Sequence, residues 1–184
     1  MMNLGCYGQL FILTLYPQQV RQLSPLVTGL ALLPQTGVIA VGSWVGGRLT
    51  ARFGPRLPML IGLSVGAARF FALTVVHEGF SYPALAAPIA AAGIGISFTM
   101  PAATAAVVED VPPERAGIAS DALNAGRQVG GALGIALLGS FVGGAFLPGF
   151  RLAVVIAGVT YVLAVAVATL VPRHVEQPLV AARW

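Results

Sequence analysis

Asp121, Asn124, Arg127 and Gln128 combine charge with hydrogen-bonding capacity at helical spacing. At i, i+3, i+6 and i+7 they fall on one broad side of a helix. If that helix crosses a membrane, the group can bind a polar ligand or move a proton, because polar side chains at that depth must pair or line water. At the membrane interface the same residues would only reach for headgroups. Both readings fit the pattern. Arg69 stands alone inside an apolar run, where a central arginine faces a cavity or a partner; Asp121 and Glu78 are the acids to test as that partner. His77-Glu78 reads as a titrating pair at the outer mouth or as a solvated loop.

Two strings imitate enzyme motifs. Gly62-Leu63-Ser64-Val65-Gly66 matches G-x-S-x-G but lacks the strand, sharp turn and helix that expose such a serine, and neither His77 nor His174 lies on an apolar run at comparable depth. Gly93-Ile94-Gly95 begins a dinucleotide-like run, yet Phe98 fills the third glycine position and no βαβ unit surrounds it.

These residues sit in a chain that composition assigns to lipid. Hydrophobic residues make up 57% of the 184 and charged residues 9%, with a mean hydropathy of +0.87. Soluble domains carry about 25% charge, and a core of this size could not hide so much apolar surface from water. Crossing the hydrocarbon takes about 20 mostly apolar residues in a helix, and the alternation of a membrane strand is missing. Six segments qualify: about 3–16, 25–46, 57–76, 82–108, 117–146 and 152–171. The first is short and has no polar loop before it, as a truncated span would. Pro88 and Pro101 can kink the fourth. The short connections predict antiparallel helices packed in sequence order. Gly126, Gly130 and Gly134 fall four apart, giving a smooth face for another helix, or less favourably for substrate. Pro113 and Glu114 suit a helix start. Residues 172–184 read as a loose tail.

All ten basic residues are arginine. Arg48, Arg52, Arg56, Arg115, Arg173 and Arg183 fall on one side of the span pattern, and Arg21 and Arg151 on the other. Arginine collects on the cytoplasmic side, which puts both termini and the stretch Gly46–Arg56 in the cytoplasm. The net charge of +4 is too thinly spread for nucleic-acid binding. The single cysteine, Cys6, rules out an internal disulfide and a cysteine metal cluster, and no basic or apolar leader precedes Leu4-Gly5-Cys6 to make it a lipoprotein site. Neither a metal nor a cofactor is expected. The stretch Gly46–Arg56 serves as a topology signal or as a gate, in which Gly46 and Gly47 let helices approach and the arginines bond the last carbonyls of neighbouring helices.

Gly47-x-Leu49-x-x-Arg52-x-Gly54-x-Arg56 resembles the loop signature of the major facilitator superfamily of secondary transporters. Val111-Pro112-Pro113-Glu114-Arg115-Ala116-Gly117, continuing through Asn124–Gly134, resembles the last part of its fourteen-helix drug:proton antiporter branch. So do Leu15-Tyr16-x-Gln18-Gln19, Ser24-Pro25-Leu26 and Gly29–Pro34. The blocks run in order over almost the whole chain. Two positions depart from the family: Ala51 stands where an acid precedes the arginine, which weakens a charge-relay gate, and Asp121 stands where a small residue is usual. The resemblance implies an all-α integral membrane protein, a six-transmembrane-helix bundle (1–171) like one half of such a transporter, in the plasma or inner membrane. It implies proton-driven export of small hydrophobic or cationic compounds, with Gln9 and Gln35 as wall groups of a cavity built from the first, second and fourth spans. One half cannot alternate access alone, so the resemblance also implies a missing N-terminal half as partner and no transport by this chain by itself. The alternatives are a six-span intramembrane serine protease using Ser64, and a membrane scaffold.

Overall fold

Where lipid replaces water, backbone polar groups must be satisfied within their own segment, and helix is the local way to do so. The computed structural model describes residues 1–15, 22, 24–75, 82–141 and 146–171. Arg21, His77-Glu78 and the tail 172–184 lie outside the described residues. Among the described residues every regular element is helical: α1 (Met2–Leu15), α2 (Pro25–Ala31), α3 (Leu33–Phe53), α4 (Arg56–Leu73), α5 (Tyr82–Glu109), a 3-10 turn at Pro113–Arg115, α6 (Ala116–Ser140) and α7 (Phe146–Ala168).

The α2 and α3 helices are two pieces of one rod, interrupted at Leu32 just ahead of Pro34, so the seven helices make six rods. Ser24 opens the first piece by accepting a hydrogen bond from the Val27 N–H, with Pro25 in the first turn. Among the described residues four rods are long and apolar enough to cross a membrane: Pro25–Phe53, Arg56–Leu73, Ala86–Glu109 and Leu147–Ala168. With 14 residues, α1 is shorter. The first turns of α6 carry Asp121, Asn124, Arg127 and Gln128.

The arginine-rich stretch is more helical than a loop reading suggests. The α3 helix continues through Gly46 to Phe53, and the turn is confined to Gly54 and Pro55. Gly54 holds φ 75° and ψ 172°, a conformation that side chains resist, so α3 ends there and α4 starts at once. Arg48 lies over the Trp44 ring at 3.8 Å and Arg52 over Phe53 at 5.4 Å.

Packing follows sequence order only in part: α4 lies against α5, but the other consecutive rods touch weakly. The main pairs are α3 with α5, α4 with α5, α1 with α6 and α4 with α7, while α6 and α7 barely touch. Around the bundle the order is α3, α5, α4, α7, α1, α6, and α6 returns only loosely to α5. A short connection fixes direction but leaves the choice of face free, and the faces that meet are those that let backbones approach. On α1 and α6, a Cβ at Gly134 would overlap the Leu4 carbonyl, and one at Gly8 would stand 2.7 Å from the Gly134 carbonyl. On α4 and α5, a Cβ at Gly62 would stand 2.9 Å from the Gly95 carbonyl. The enclosed core lies where α4, α7 and α1 meet, around Ile12, Leu63, Phe70, Leu73, Leu138, Phe150 and Tyr161, with Phe70 and Tyr161 edge to face at 5.1 Å.

The three glycines of α6 at four-residue spacing are not equivalent. Gly134 is pressed against Leu4, a Cβ at Gly130 would rest at 3.6 Å from Asn3, and Gly126 faces open space. Gly134→Val is therefore expected to destabilise the bundle by about 1–3 kcal/mol through overpacking. Gly126→Ala should be neutral or gain up to about 1 kcal/mol of helix propensity. Thermal denaturation of the two variants in detergent checks the order.

A polar cleft between α1, α5 and α6

The loose closure between α5 and α6 leaves an opening, and the polar side chains of α6 gather there. A cleft of about 460 Å³ is lined by Asn3 and Tyr7 from α1, Met100 from α5, and Asn124, Arg127, Gln128 and Gly131 from α6. Arg127 organises it. One terminal nitrogen donates to the Met100 carbonyl at 3.2 Å and to Thr104 Oγ1 at 2.9 Å, and the other to Asn124 Oδ1 at 3.2 Å. The backbone carbonyl of Arg127 accepts from Asn3 Nδ2 at 3.1 Å. A single residue thus ties three helices together, and a planar guanidinium is suited to it because its donors fork at fixed angles.

A second cleft of about 550 Å³ adjoins it at the end of the bundle where α1, α4 and α6 begin and α5 and α7 end. Its walls are mostly apolar, including Met2, Met59, Leu63, Val107 and Val167, and Arg127 and Asn3 belong to both clefts. One continuous region therefore presents an apolar wall with hydrogen-bonding groups along one margin. Such a surface suits a small molecule with a hydrophobic body and a polar or charged group.

The other sequence-derived candidates divide as follows. Asn124, Arg127 and Gln128 come together in the polar cleft, whereas Asp121 is exposed one turn earlier on α6 and lines neither cleft. Gln9 and Arg69 meet each other in the enclosed core, where an Arg69 terminal nitrogen donates to Gln9 Oε1. Among the described residues no acid lies within ion-pair distance of Arg69; its partner is an amide. Gln35 is buried on α3 against Gly93 of α5. Gly47 faces open space, and among the described residues Arg48, Arg52 and Arg56 bond no carbonyl of a neighbouring helix. Ser64 sits in mid-helix on the exposed side of α4, while Gly62 and Gly66 beside it face α5 and Tyr161, so the G-x-S-x-G string lies in a packing surface.

Sequence reasoning missed Asn3, Tyr7, Met100 and Thr104. Their signal is faint: Asn3 and Tyr7 are four apart on a short apolar helix, and Thr104 follows Met100 by four.

Arg127→Met should cost about 1–3 kcal/mol by leaving the carbonyl, hydroxyl and amide oxygens without their shared donor. Arg127→Lys, which keeps the charge and loses the fork, should recover only part of it. Melting temperatures of both variants in detergent test the ranking, and equal loss would show that charge alone does not support the joint.

Comparison with known proteins gives this architecture a lineage. The chain is 34% identical over 139 residues to the tetracenomycin C resistance and export protein of Streptomyces glaucescens, covering 76% of this chain and 26% of that protein. It is 35% identical over 134 residues to the multidrug resistance protein Stp of Mycobacterium tuberculosis, covering 73% and 25%. It is 36% identical over 151 residues to the drug efflux pump JefA of the same species, covering 77% and 28%. The chain thus spans about a quarter of the length of these relatives. The model of the Major Facilitator Superfamily matches residues 1–135, most of the helical bundle, and the chain belongs to that superfamily of membrane transporters.

Proposed function

We propose that this chain forms one helical bundle of a proton-coupled exporter of small hydrophobic or cationic compounds in the plasma membrane, and that it acts with further helices rather than alone. The observation that carries the reading is its membership of the superfamily together with relatives named for drug resistance, export and efflux. Transport by rocking two bundles about a midplane site requires a second bundle, and the relatives are about four times the length matched here. Proton coupling rests on the motif resemblance to the drug:proton antiporters.

In this reading the paired clefts supply part of the substrate wall. Asn3, Tyr7, Asn124, Arg127 and Gln128 offer the polar contacts, and the adjoining apolar wall takes the hydrophobic body. Arg52 and Gly54 hold the α3–α4 junction and orient the two helices, while Ala51 leaves that junction without the acid a charge relay would use. Enzymatic use of Ser64 gains no support from its place in the middle of α4.

Two experiments test the division of labour. Purified chain alone in proteoliposomes with a pH gradient is expected to move no dye, and proton-driven dye efflux by it would overturn the need for partner helices. A chimera of the Streptomyces glaucescens relative carrying residues 1–171 in place of its matching segment is expected to retain export. Loss of export by a folded, membrane-inserted chimera would overturn the shared role.

Orientation is a further part of the proposal. The starts of α1, α4 and α6 and the ends of α5 and α7 meet at one end of the bundle, which collects Arg52, Arg56 and Arg115. Basic residues favour the cytoplasmic side, so this end of the bundle, with Met1 and Val171, faces the cytoplasm. In a Cys6→Ala background, Glu114→Cys should react with a membrane-impermeant maleimide only after cells are opened; labelling in intact cells would reverse the orientation.

A further inference from the structure

Away from both clefts, the enclosed core holds a positive charge that the helices around it do not balance. Arg69 is 3% exposed and Gln9 3% exposed, and Tyr161 is fully buried. The Arg69 guanidinium bonds Gln9 Oε1 and lies 4.2 Å from the Phe70 ring centroid and 5.7 Å from that of Tyr161. Among the described residues no carboxylate reaches it. Three buried groups there are left without a hydrogen-bond partner: Arg69 Nε, Gln9 Nε2 and the Tyr161 hydroxyl. All three carry a hydrogen to donate. The hydroxyl lies beside the guanidinium, which can donate to its oxygen but cannot accept from it, so the hydroxyl hydrogen has no acceptor there.

The surroundings hold these groups in place. The Tyr161 ring is clasped between α1 and α4: a Cβ at Gly5 would stand 2.7 Å from one edge, and a Cβ at Gly66 would overlap the other. Donors from three helices therefore gather around one guanidinium, supplied by α1 (Gln9), α4 (Arg69) and α7 (Tyr161). A buried guanidinium without a counter-charge is costly, and ring faces offset only part of the cost. Water would accept from the donors and leave the charge. A small anion answers both.

We propose that Gln9, Arg69 and Tyr161 form a binding site for a monovalent, halide-sized anion in the core of the bundle. Close packing by Phe70, Leu73 and Ala157, each fully buried, excludes an organic carboxylate of substrate size. The site sits inside one bundle and supports its fold, independently of the clefts assigned to substrate.

The test is the melting temperature of the full chain in detergent, with sodium chloride, bromide or gluconate at equal ionic strength, which holds general screening constant. An anion bound only by the folded state raises the melting temperature in a saturable way. The wild type is expected to melt about 3 °C or more higher in chloride or bromide than in gluconate. Tyr161→Phe keeps the ring between Gly5 and Gly66 and removes one donor, so it should fold and lose at least half of the halide shift. Arg69→Met should lose all of it. A wild-type melting temperature indifferent to the anion, as a water-filled site would give, overturns the proposal. So does a shift kept in full by Tyr161→Phe, or one retained in a folded Arg69→Met.

Discussion

Helices in lipid gain little from burying apolar side chains against one another, because the solvent they leave is equally apolar. What holds this bundle together is close approach of backbones, and that constraint governs the rest of the structure. Gly8 and Gly134 bring α1 and α6 together, and Gly62 and Gly95 do the same for α4 and α5. At Gly46, a Cβ would stand 2.5 Å from the Ser97 carbonyl, the group that Pro101 deprives of its helical N–H partner. A smooth surface on α3 thus lies over a carbonyl of α5 that lacks its usual helical donor, where weak C–H donors can reach it. Hydroxyls add little adhesion between helices. Thr14, Ser43, Thr50, Thr74, Ser140 and Thr160 each donate back to a carbonyl of their own helix, three or four residues earlier.

Against that background Arg69 and Arg127 play different parts. Arg127 stands where the ring of helices closes loosely, and its fork replaces a missing helix contact with hydrogen bonds to α5 while its carbonyl holds α1. The clefts exist because this seam is bridged by polar groups at intervals rather than filled by side chains. Arg69 stands buried in the core, where a charge has no structural advantage over an apolar side chain of similar length. Its place beside two further unsatisfied donors sets it apart from the packing around it.

Much of the helical architecture was legible in the sequence, because uninterrupted apolar runs bounded by proline, glycine and arginine leave helix as the only satisfied backbone. The three motif blocks likewise pointed to the superfamily that the comparisons establish. The order of packing was not legible. Short connections suggest neighbours in sequence, but α6 and α7 turn away from each other because both fit α1 better. Partners of buried polar groups were also hidden. Arg69 invited a search for an acid, and its bond goes to Gln9, 60 positions away, since a neutral amide leaves no signature of charge complementarity. Asn3 and Tyr7 were overlooked because α1 is short and reads as an incomplete apolar run, although Gly5 and Gly8 on the same helix mark it as closely packed.

The wide mouth where five helix ends converge has an architectural consequence. Met1 and Val171 both line it, so the first and last described residues of the bundle meet at the same opening. An even number of rods returns a polypeptide to the side from which it started, and here it returns to nearly the same place. Such a unit behaves as a cassette: flanking sequence can be joined at either end without reversing the direction of any helix within it, and one end of the bundle carries both joints.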